Sequence, residues 1–381
     1  MTKPKSLPVL CSSIHTFEVH GTYRSDTVSV ILMKKMNELI CERKYWRMKK
    51  SKNRKKPYYK KYQNFVRNGG GLKIESYIND MTGEYNINLY GINLARISGE
   101  TSRLELTDLS YKGLERQGRC FEEELERLGL LELEDRIEWK MYRVDLTQDF
   151  YVKSDPSLYV RIAKYTGEVR PNKTGKAKHY ERHNEKRSAT FEKDEYNFEL
   201  YDKHQQLMNE GKIYPVTEED LVFSRNLVRF EVQLKRPFLL RFERQNGLIC
   251  SDVEKCIPMK FRTGVLVYYF MRLTDQIPWI LYDKTKRMFG EEPWHSVDSA
   301  LQVVNESRLS EGTKSFVRRY IESVDHPECA KEYSYNEMVR LRRVLKSLKI
   351  NPVIIPRKIL NNREVARFPC KPLCERVEGC R

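Results

Sequence analysis

Residues 141–150 read MYRVDLTQDF, a run in which apolar and polar side chains alternate. Successive side chains of an extended strand point to opposite faces. Val144 and Leu146 therefore share one face, and Asp145 and Asp149 share the other. The pattern predicts a strand with one apolar and one acidic face.

Two further segments alternate in the same way: residues 196–207 (YNFELYDKHQQL) and 227–236 (LVRFEVQLKR). The first is expected to turn into a helix from Asp202 onward. The residues opposite the apolar faces are Glu199, Tyr201 and Lys203 in one segment and Arg229, Glu231 and Gln233 in the other. If the three strands are neighbours in one sheet, the apolar face is the core and the polar face gathers acids and a tyrosine around one site.

Converging carboxylates repel one another, and a divalent metal relieves that repulsion. Asp145, Glu231 and Glu199 are therefore candidate ligands for Mg²⁺ or Mn²⁺, which can stabilise charge that develops on a phosphodiester. Tyr201 is a candidate nucleophile, and Lys203 is a candidate for lowering its pKa or for holding the phosphate. The alternative is an ordinary half-exposed strand whose polar residues face solvent.

The composition favours a nucleic-acid partner. The chain has 381 residues, enough for two or three domains, and a formal net charge of +17 that attracts polyanions. It has neither an amphipathic anchor nor a long apolar run, which disfavours a membrane protein. The first residues lack a secretory signal, so we expect a location in the cytoplasm, that of a host bacterium if the resemblance below holds. The nine scattered cysteines are expected to be reduced thiols, since no paired zinc-type spacing occurs.

A basic arm, defined as residues 43–62, interleaves aromatic residues with Lys and Arg and contains no acid. Cations can neutralise phosphates and rings can stack on exposed bases, a combination that suits single strands. The alternative is a solvated basic loop. The predicted nucleic-acid contacts are Arg43, Lys44, Trp46, Arg47, Lys49, Lys50, Arg54, Lys55, Lys56, Lys60 and Lys61, with Arg229 added from the polar strand face.

The wider pattern predicts an α+β fold with a central antiparallel sheet, flanking helices and a mainly helical C-terminal region. We place domains at 1–134 (strand-rich, with the basic arm), 135–241 (the catalytic core) and 242–381. Within the first domain, the apolar run at 28–33 is interpreted as strand, and residues 72–93 as a hairpin.

Helices are predicted over 108–130, around 315–324, and after Ser334, which begins a Ser-x-x-Glu capping box. The last two helices have basic faces that fit a DNA groove or, equally, solvent. A phosphate-binding GxxxxGKS loop is absent from the sequence, which disfavours nucleotide hydrolysis.

The ordered set RVDLTQDF, FELYDKHQQL and LVRFEVQL, within residues 138–241, resembles the replication initiators of filamentous bacteriophages, the gene II protein family. The resemblance implies rolling-circle replication, in which an endonuclease nicks origin DNA, links itself to the 5′ phosphate, leaves a 3′ hydroxyl for the host polymerase and later rejoins the strand. Tyr201 falls on the linking tyrosine. Asp145 and Glu231 fall on the acids expected to bind the metal, and Lys203 and His204 match the residues after the tyrosine.

The resemblance also implies origin DNA as partner, both single-stranded and supercoiled duplex, with a host helicase and a possible oligomer at the origin. One feature departs from better-known rolling-circle initiators, which bind metal through a His-x-His pair. His179 and His183 do not have that spacing and are interpreted as loop residues. The rival functions are a non-catalytic DNA-binding protein and a metal-dependent nuclease that uses water as its nucleophile.

Overall fold

The structure is a computed structural model. It describes residues 9–24, 26–41, 46–48, 59–67, 70–79, 82–100, 106–153, 155–169, 188–192, 194–210, 216–248, 262–290, 292, 294–326 and 333–359. Its strands are β1 (Val9–Tyr23), β2 (Trp46–Met48), β3 (Tyr59–Arg67), β4 (Lys73–Asn79), β5 (Tyr85–Ile92), β6 (Glu138–Tyr151), β7 (Ser188–Glu192), β8 (Tyr196–Asp202), β9 (Leu227–Lys235), β10 (His295–Ser296) and β11 (Ile354–Ile355).

Its helices are α1 (Asp26–Cys41), α2 (Leu94–Ile97), α3 (Tyr111–Arg127), α4 (Pro156–Val169), α5 (Lys203–Glu210), α6 (Glu218–Ser224), α7 (Arg236–Gln245), α8 (Thr263–Thr274), α9 (Ile277–Phe289), α10 (Val297–Glu306), α11 (Glu311–Ser323) and α12 (Tyr335–Ser347). Short 3₁₀ turns occupy Glu134–Arg136 and Arg357–Ile359. None of the helices in these ranges is long and apolar enough to cross a membrane.

Nine strands form one sheet in the order β2-β3-β4-β5-β1-β6-β9-β8-β7, and every neighbouring pair is antiparallel. The predicted α+β class is confirmed, and so is the expectation that the three alternating segments are neighbours. The domain boundaries stay predictions. The sheet spans the predicted boundary between residues 134 and 135, because β1 pairs with β6 over most of its length.

The apolar face of the sheet is the core, and helices cover it. Phe17 of β1 makes edge-to-face contacts with Phe121 of α3 and Phe270 of α8, and Phe230 of β9 contacts Phe289 of α9. Because side chains alternate, this packing leaves the acids of β6, β8 and β9 on the opposite face.

The interpretation of residues 28–33 as strand was wrong, because this run belongs to α1. Val28 and Leu32 are fully buried, whereas Val30 between them is exposed. Burial four residues apart is the period of one helical face and not of a strand. The predicted hairpin and the helices of 108–130 and 315–324 correspond to β4–β5, α3 and α11.

Helices α10, α11 and α12 share a second hydrophobic cluster with β11. The predicted capping box is present at the start of α12, where Ser334 and Glu337 each accept from the backbone N–H of the other. Asn351, which is fully buried, links this region to the end of α9. Its Nδ2 donates to the carbonyls of Phe289 (2.8 Å) and Glu292 (2.6 Å), and its Oδ1 accepts from Val353 N (2.7 Å).

We expect Asn351→Ala to lower the free energy of unfolding by about 3 kcal/mol, because three backbone groups lose their partner at a site from which water is excluded. Urea denaturation followed by tryptophan fluorescence measures this change. Asn305→Ala is the matched control, since Asn305 is exposed and accepts a similar bond from Arg318 (2.7 Å). The control is expected to cost less than about 0.5 kcal/mol. Equal losses in the two variants would contradict the prediction.

Candidate active site

On the polar face of the sheet, two side chains contact the same carboxylate oxygen, Oε1 of Glu231. Glu231 Oε1 accepts from the hydroxyl of Tyr201 at 2.5 Å, and His15 Nδ1 lies 2.8 Å from the same oxygen. Tyr201 is on β8, Glu231 on β9 and His15 on β1, so three strands contribute. The arrangement places a phenol beside a base and a third group against that base.

A bulge in β1 lets His15 and Thr16 both lie on this face, between the buried residues Ile14 and Phe17. Ile14 pairs with Leu146 and Thr16 pairs with Asp145, so His15 is an extra residue on β1. Strand β6 separates β1 from β9, and the β6 residue opposite Glu231 is Thr147. His15 therefore reaches Glu231 across a strand whose side chain at that point is small.

Arg143 holds two acids next to this cluster. Its Nε and Nη2 donate to Asp145 Oδ1 (2.8 Å) and Oδ2 (3.0 Å), and its Nη1 lies 2.8 Å from Glu18 Oε1. Asp145 also accepts from the hydroxyl of Thr16. Both oxygens of Asp145 are thus occupied by a bidentate guanidinium.

Burial and charge set the protonation of the central pair. Burial, together with the neighbouring charge of Glu231, raises the pKa of Tyr201 well above its ordinary value. Burial would raise the pKa of Glu231 as well, but His15, Arg229 and the Tyr201 hydroxyl lower that pKa to about 2. At neutral pH the resting pair is therefore a phenol that donates to a carboxylate.

The two acids beside Arg143, Asp145 and Glu18, have raised pKa values, in contrast to Glu231. Burial raises the pKa of Asp145 above its usual range, Arg143 opposes this, and Glu231 adds to the rise. Burial also raises the pKa of Glu18, again against Arg143. In the register, Asp145 is opposite Gln233 on β9, two residues from Glu231.

Further along the polar face, Asp149 and Arg229 form a fully buried ion pair. Arg229 Nε and Nη2 donate to Asp149 Oδ1 (2.6 Å) and Oδ2 (2.8 Å), and the two residues are opposite each other on β6 and β9. The sequence-based prediction that Arg229 contacts nucleic acid does not fit this geometry. Its guanidinium is enclosed and neutralises Asp149, so it is not available to a phosphate.

The other site residues predicted from the sequence belong to β8 and to the start of α5. Glu199 is directly opposite Glu231 in the β8–β9 register, and one of its oxygens accepts from Gln233 Nε2 at 3.4 Å. Lys203 is fully buried at the start of α5 and donates to Gln206 at 2.9 Å. His204 Nδ1 lies 3.1 Å from Ser224 Oγ.

Most of the basic arm lies outside the described residues, as do His179 and His183. Trp46 and Arg47 belong to β2, and Lys60 and Lys61 belong to β3. The remaining predicted contacts lie outside the described residues and stay predictions: Arg43, Lys44, Lys49, Lys50, Arg54, Lys55 and Lys56. The sheet order places β2 and β3 at one edge of the same sheet that carries the site.

The acids as arranged do not fit the predicted metal site. Asp145 is engaged by Arg143 and Thr16, and Glu231 by Tyr201 and His15. Among the described residues, no group of three His, Cys, Asp or Glu side chains is placed to hold an ion. A metal at Asp145 would have to displace the guanidinium of Arg143.

Sequence reasoning missed His15 and the role of Arg143. The signal for His15 was available, since the buried residues Ile14, Phe17 and Val19 are spaced by three and then two, and this break in alternation indicates a bulge. A cavity of about 520 Å³ lies between α3 and α8. These helices cover the apolar face, so that cavity is not part of the site.

We expect Asp149→Ala to lower the free energy of unfolding by about 3–5 kcal/mol, because it leaves the Arg229 charge buried without its counter-ion. Replacing both residues, Asp149→Leu with Arg229→Met, should recover most of the loss. Urea denaturation measures both. Glu195→Ala is the control, since Glu195 and Arg241 form an exposed bidentate pair (2.5 and 2.8 Å) worth at most about 1 kcal/mol. A double variant no more stable than Asp149→Ala would refute the explanation.

No protein-family model matches the chain, and no curated protein matches it significantly. Among solved structures, it is similar to a rolling circle replication initiator protein from Geobacillus stearothermophilus, with 14% sequence identity and a TM-score of 0.30. The match covers 68% of this chain and 97% of that chain. A similarity at this TM-score carries no argument about function, which is therefore argued from the site.

Proposed function

We propose that this chain nicks DNA as an initiator of rolling-circle replication, by attack of the Tyr201 hydroxyl on a backbone phosphate. The observation that carries the proposal is the 2.5 Å hydrogen bond from Tyr201 to Glu231 Oε1, with His15 on the same oxygen. A nucleophile, an adjacent base and a group that orients the base are the parts that nucleophilic catalysis requires. The net charge of +17 supports DNA as the substrate.

In the proposed reaction the Tyr201 oxygen forms a bond to phosphorus, and the bond from phosphorus to the 3′ oxygen breaks. The phenol proton passes to Glu231, which releases it to solvent, and the leaving 3′ oxygen takes up one proton from solvent to become a free hydroxyl, so that no net proton is gained or lost. The products are a 5′-phosphotyrosyl link and a 3′ end suited to a polymerase. One phosphodiester replaces another, so the reverse reaction can rejoin the strand.

The pKa values indicate how the proton moves. Tyr201 is protonated at rest because its pKa is raised, and a free phenolate is not populated at neutral pH. The proton must therefore leave for Glu231 as the bond to phosphorus forms, which is general base catalysis. Tyr201 is only 6% exposed, so binding of the strand must shift the side chains around its ring.

Arg143 is the cation best placed for the phosphate. Its side chain keeps 27% of its surface exposed, whereas Arg229 and Lys203 are fully buried. Arg143 belongs to the same polar face and donates to Asp145. The charge of Glu231 raises the pKa of Asp145. We assign Arg143 to the scissile phosphate, with partial release of Glu18 or Asp145 on binding. The roles predicted from sequence for Lys203, Glu199 and a magnesium or manganese ion remain predictions, as do the host helicase and polymerase.

We expect Tyr201→Phe to abolish the covalent protein–DNA adduct on an origin oligonucleotide, because the attacking oxygen is removed. Denaturing gel electrophoresis of end-labelled DNA detects the adduct, and peptide mapping identifies the linked residue. Tyr196→Phe is the control on the same strand, since Tyr196 packs against Phe198 on the apolar face. An adduct that persists in Tyr201→Phe would overturn the assignment. Cleavage without any adduct would favour the nuclease that uses water.

We expect Glu231→Gln to slow adduct formation by roughly 10²- to 10⁴-fold, because the amide can accept the Tyr201 hydrogen bond but cannot take up its proton. Single-turnover kinetics at saturating oligonucleotide measures this change, with the adduct still at Tyr201. Glu195→Gln, an exposed acid of the preceding hairpin, serves as the control and should leave the rate unchanged. A rate for Glu231→Gln within about threefold of the unmodified protein would exclude Glu231 as the base.

A further inference from the structure

Tyr142 and His20 form a parallel ring stack on the polar face of the sheet. Their ring centroids are 3.6 Å apart and their planes differ by 11°. Tyr142 nevertheless keeps 44% of its surface exposed. The imidazole covers one face of the phenol ring, so the exposed surface belongs to the opposite face and the ring edges.

Alternation and a bulge in β6 together produce this arrangement. Met141 and Val144 are both fully buried in the core, and Tyr142, the neighbour of Met141, points to the opposite face. Glu18 pairs with Arg143 and Val19 pairs with Met141, so β6 has one extra residue here. The bulge therefore keeps two consecutive side chains, Tyr142 and Arg143, on the face of the candidate site.

The stack is close to the proposed chemistry. Tyr142 precedes Arg143, the residue assigned above to the scissile phosphate. At about 3.3 Å per residue, its backbone is roughly 10 Å from that of Asp145 along the strand. A strand of DNA whose phosphate lies at Arg143 therefore brings its neighbouring bases within reach of the Tyr142 ring.

The surroundings suit an uncharged, planar ligand that is attached to phosphates. Burial, aided by the charge of Arg143, lowers the pKa of His20 to about 4, so the stacked imidazole is neutral at pH 7. Lys140 is opposite His20 in the register with β6, and Asn88 is opposite it on β5. Lys140 is exposed and offers a cation to a phosphate, whereas Asn88 is buried and donates to the Tyr77 hydroxyl at 3.5 Å. Glu18 also lies on this face, but Arg143 compensates its charge.

We propose that the Tyr142–His20 stack is a base-binding subsite, on which a nucleobase of single-stranded DNA stacks against the open face of Tyr142. Stacking on an aromatic side chain is tolerant of sequence, so the subsite recognises an unpaired base and not a particular base. In a duplex both faces of each base are covered by its neighbours. The subsite therefore selects a single strand next to the nick. The inference rests on the proposed function only in taking the bound single strand to be the DNA that is nicked.

The test compares two probes in equilibrium binding: a labelled thymidine decamer and an abasic decamer with the same sugar–phosphate chain. Tyr142→Ala should weaken binding of the thymidine decamer roughly tenfold, since stacking of one base contributes about 1–3 kcal/mol. Its effect on the abasic decamer should stay within about twofold. Tyr142→Phe should bind both probes as the unmodified protein does, because the hydroxyl is not used.

Controls separate stacking from a general loss of structure. Tyr142→Leu keeps an apolar side chain without a ring and should behave like Tyr142→Ala. Tyr111→Ala removes another exposed tyrosine, on α3, and should change neither probe. Equal weakening of both probes, or no weakening of either, would overturn the subsite. No scissile bond is needed here, so this result is independent of the adduct experiment with Tyr201→Phe.

Discussion

The hydrogen bond from Tyr201 to Glu231 depends on His15, which holds the same carboxylate oxygen from the other side. A buried carboxylate with one phenol partner would be costly, because burial favours its protonated form. The cationic and hydrogen-bonding groups around Glu231 reverse that tendency and bring its pKa to about 2. The carboxylate therefore stays ionised and holds the phenol by a hydrogen bond. Its low pKa also makes it a weak base, so it can take the proton only as the bond to phosphorus forms and the phenol oxygen becomes more acidic. The small side chain of Thr147 permits the contact from His15, because His15 crosses β6 at that position.

Two register irregularities shape the polar face. At the bulge in β1, His15 and Thr16 share this face, and at the bulge in β6, Tyr142 and Arg143 share it. Each bulge inserts one residue into an otherwise alternating strand, so two consecutive side chains lie on the face that carries the acids. The core residues around each bulge stay buried. The fold thus gains side chains on one face without losing packing on the other.

Alternation in β6, β8 and β9 was sufficient to predict one apolar and one polar face for each strand. That Tyr201 and Glu231 share a site followed only on the condition that the strands are neighbours, which the sheet order meets. Period-two patterns carry that information directly, since each strand has one buried face. The same reasoning failed at 28–33, where burial of Val28 and Leu32 follows a helical period. It also misjudged Arg229, because a cation on the face of the acids can neutralise an acid as readily as a phosphate. Cross-strand partners such as Arg143 with Glu18 depend on register, which a single segment does not specify.

The order of the strands has a consequence for synthesis of the protein. Strand β1 precedes the other strands of this sheet along the chain, yet it lies in the middle of the sheet between β5 and β6. Both of its partner strands are therefore synthesised after it. His15 and Glu231 are contributed by opposite ends of this sheet-forming segment, so the base and its orienting group meet only after β9 has left the ribosome. A product that terminates before β9 contains His15 and Tyr201 but lacks Glu231. Incomplete chains therefore lack the cluster of Tyr201, Glu231 and His15, which assembles only in the complete sheet.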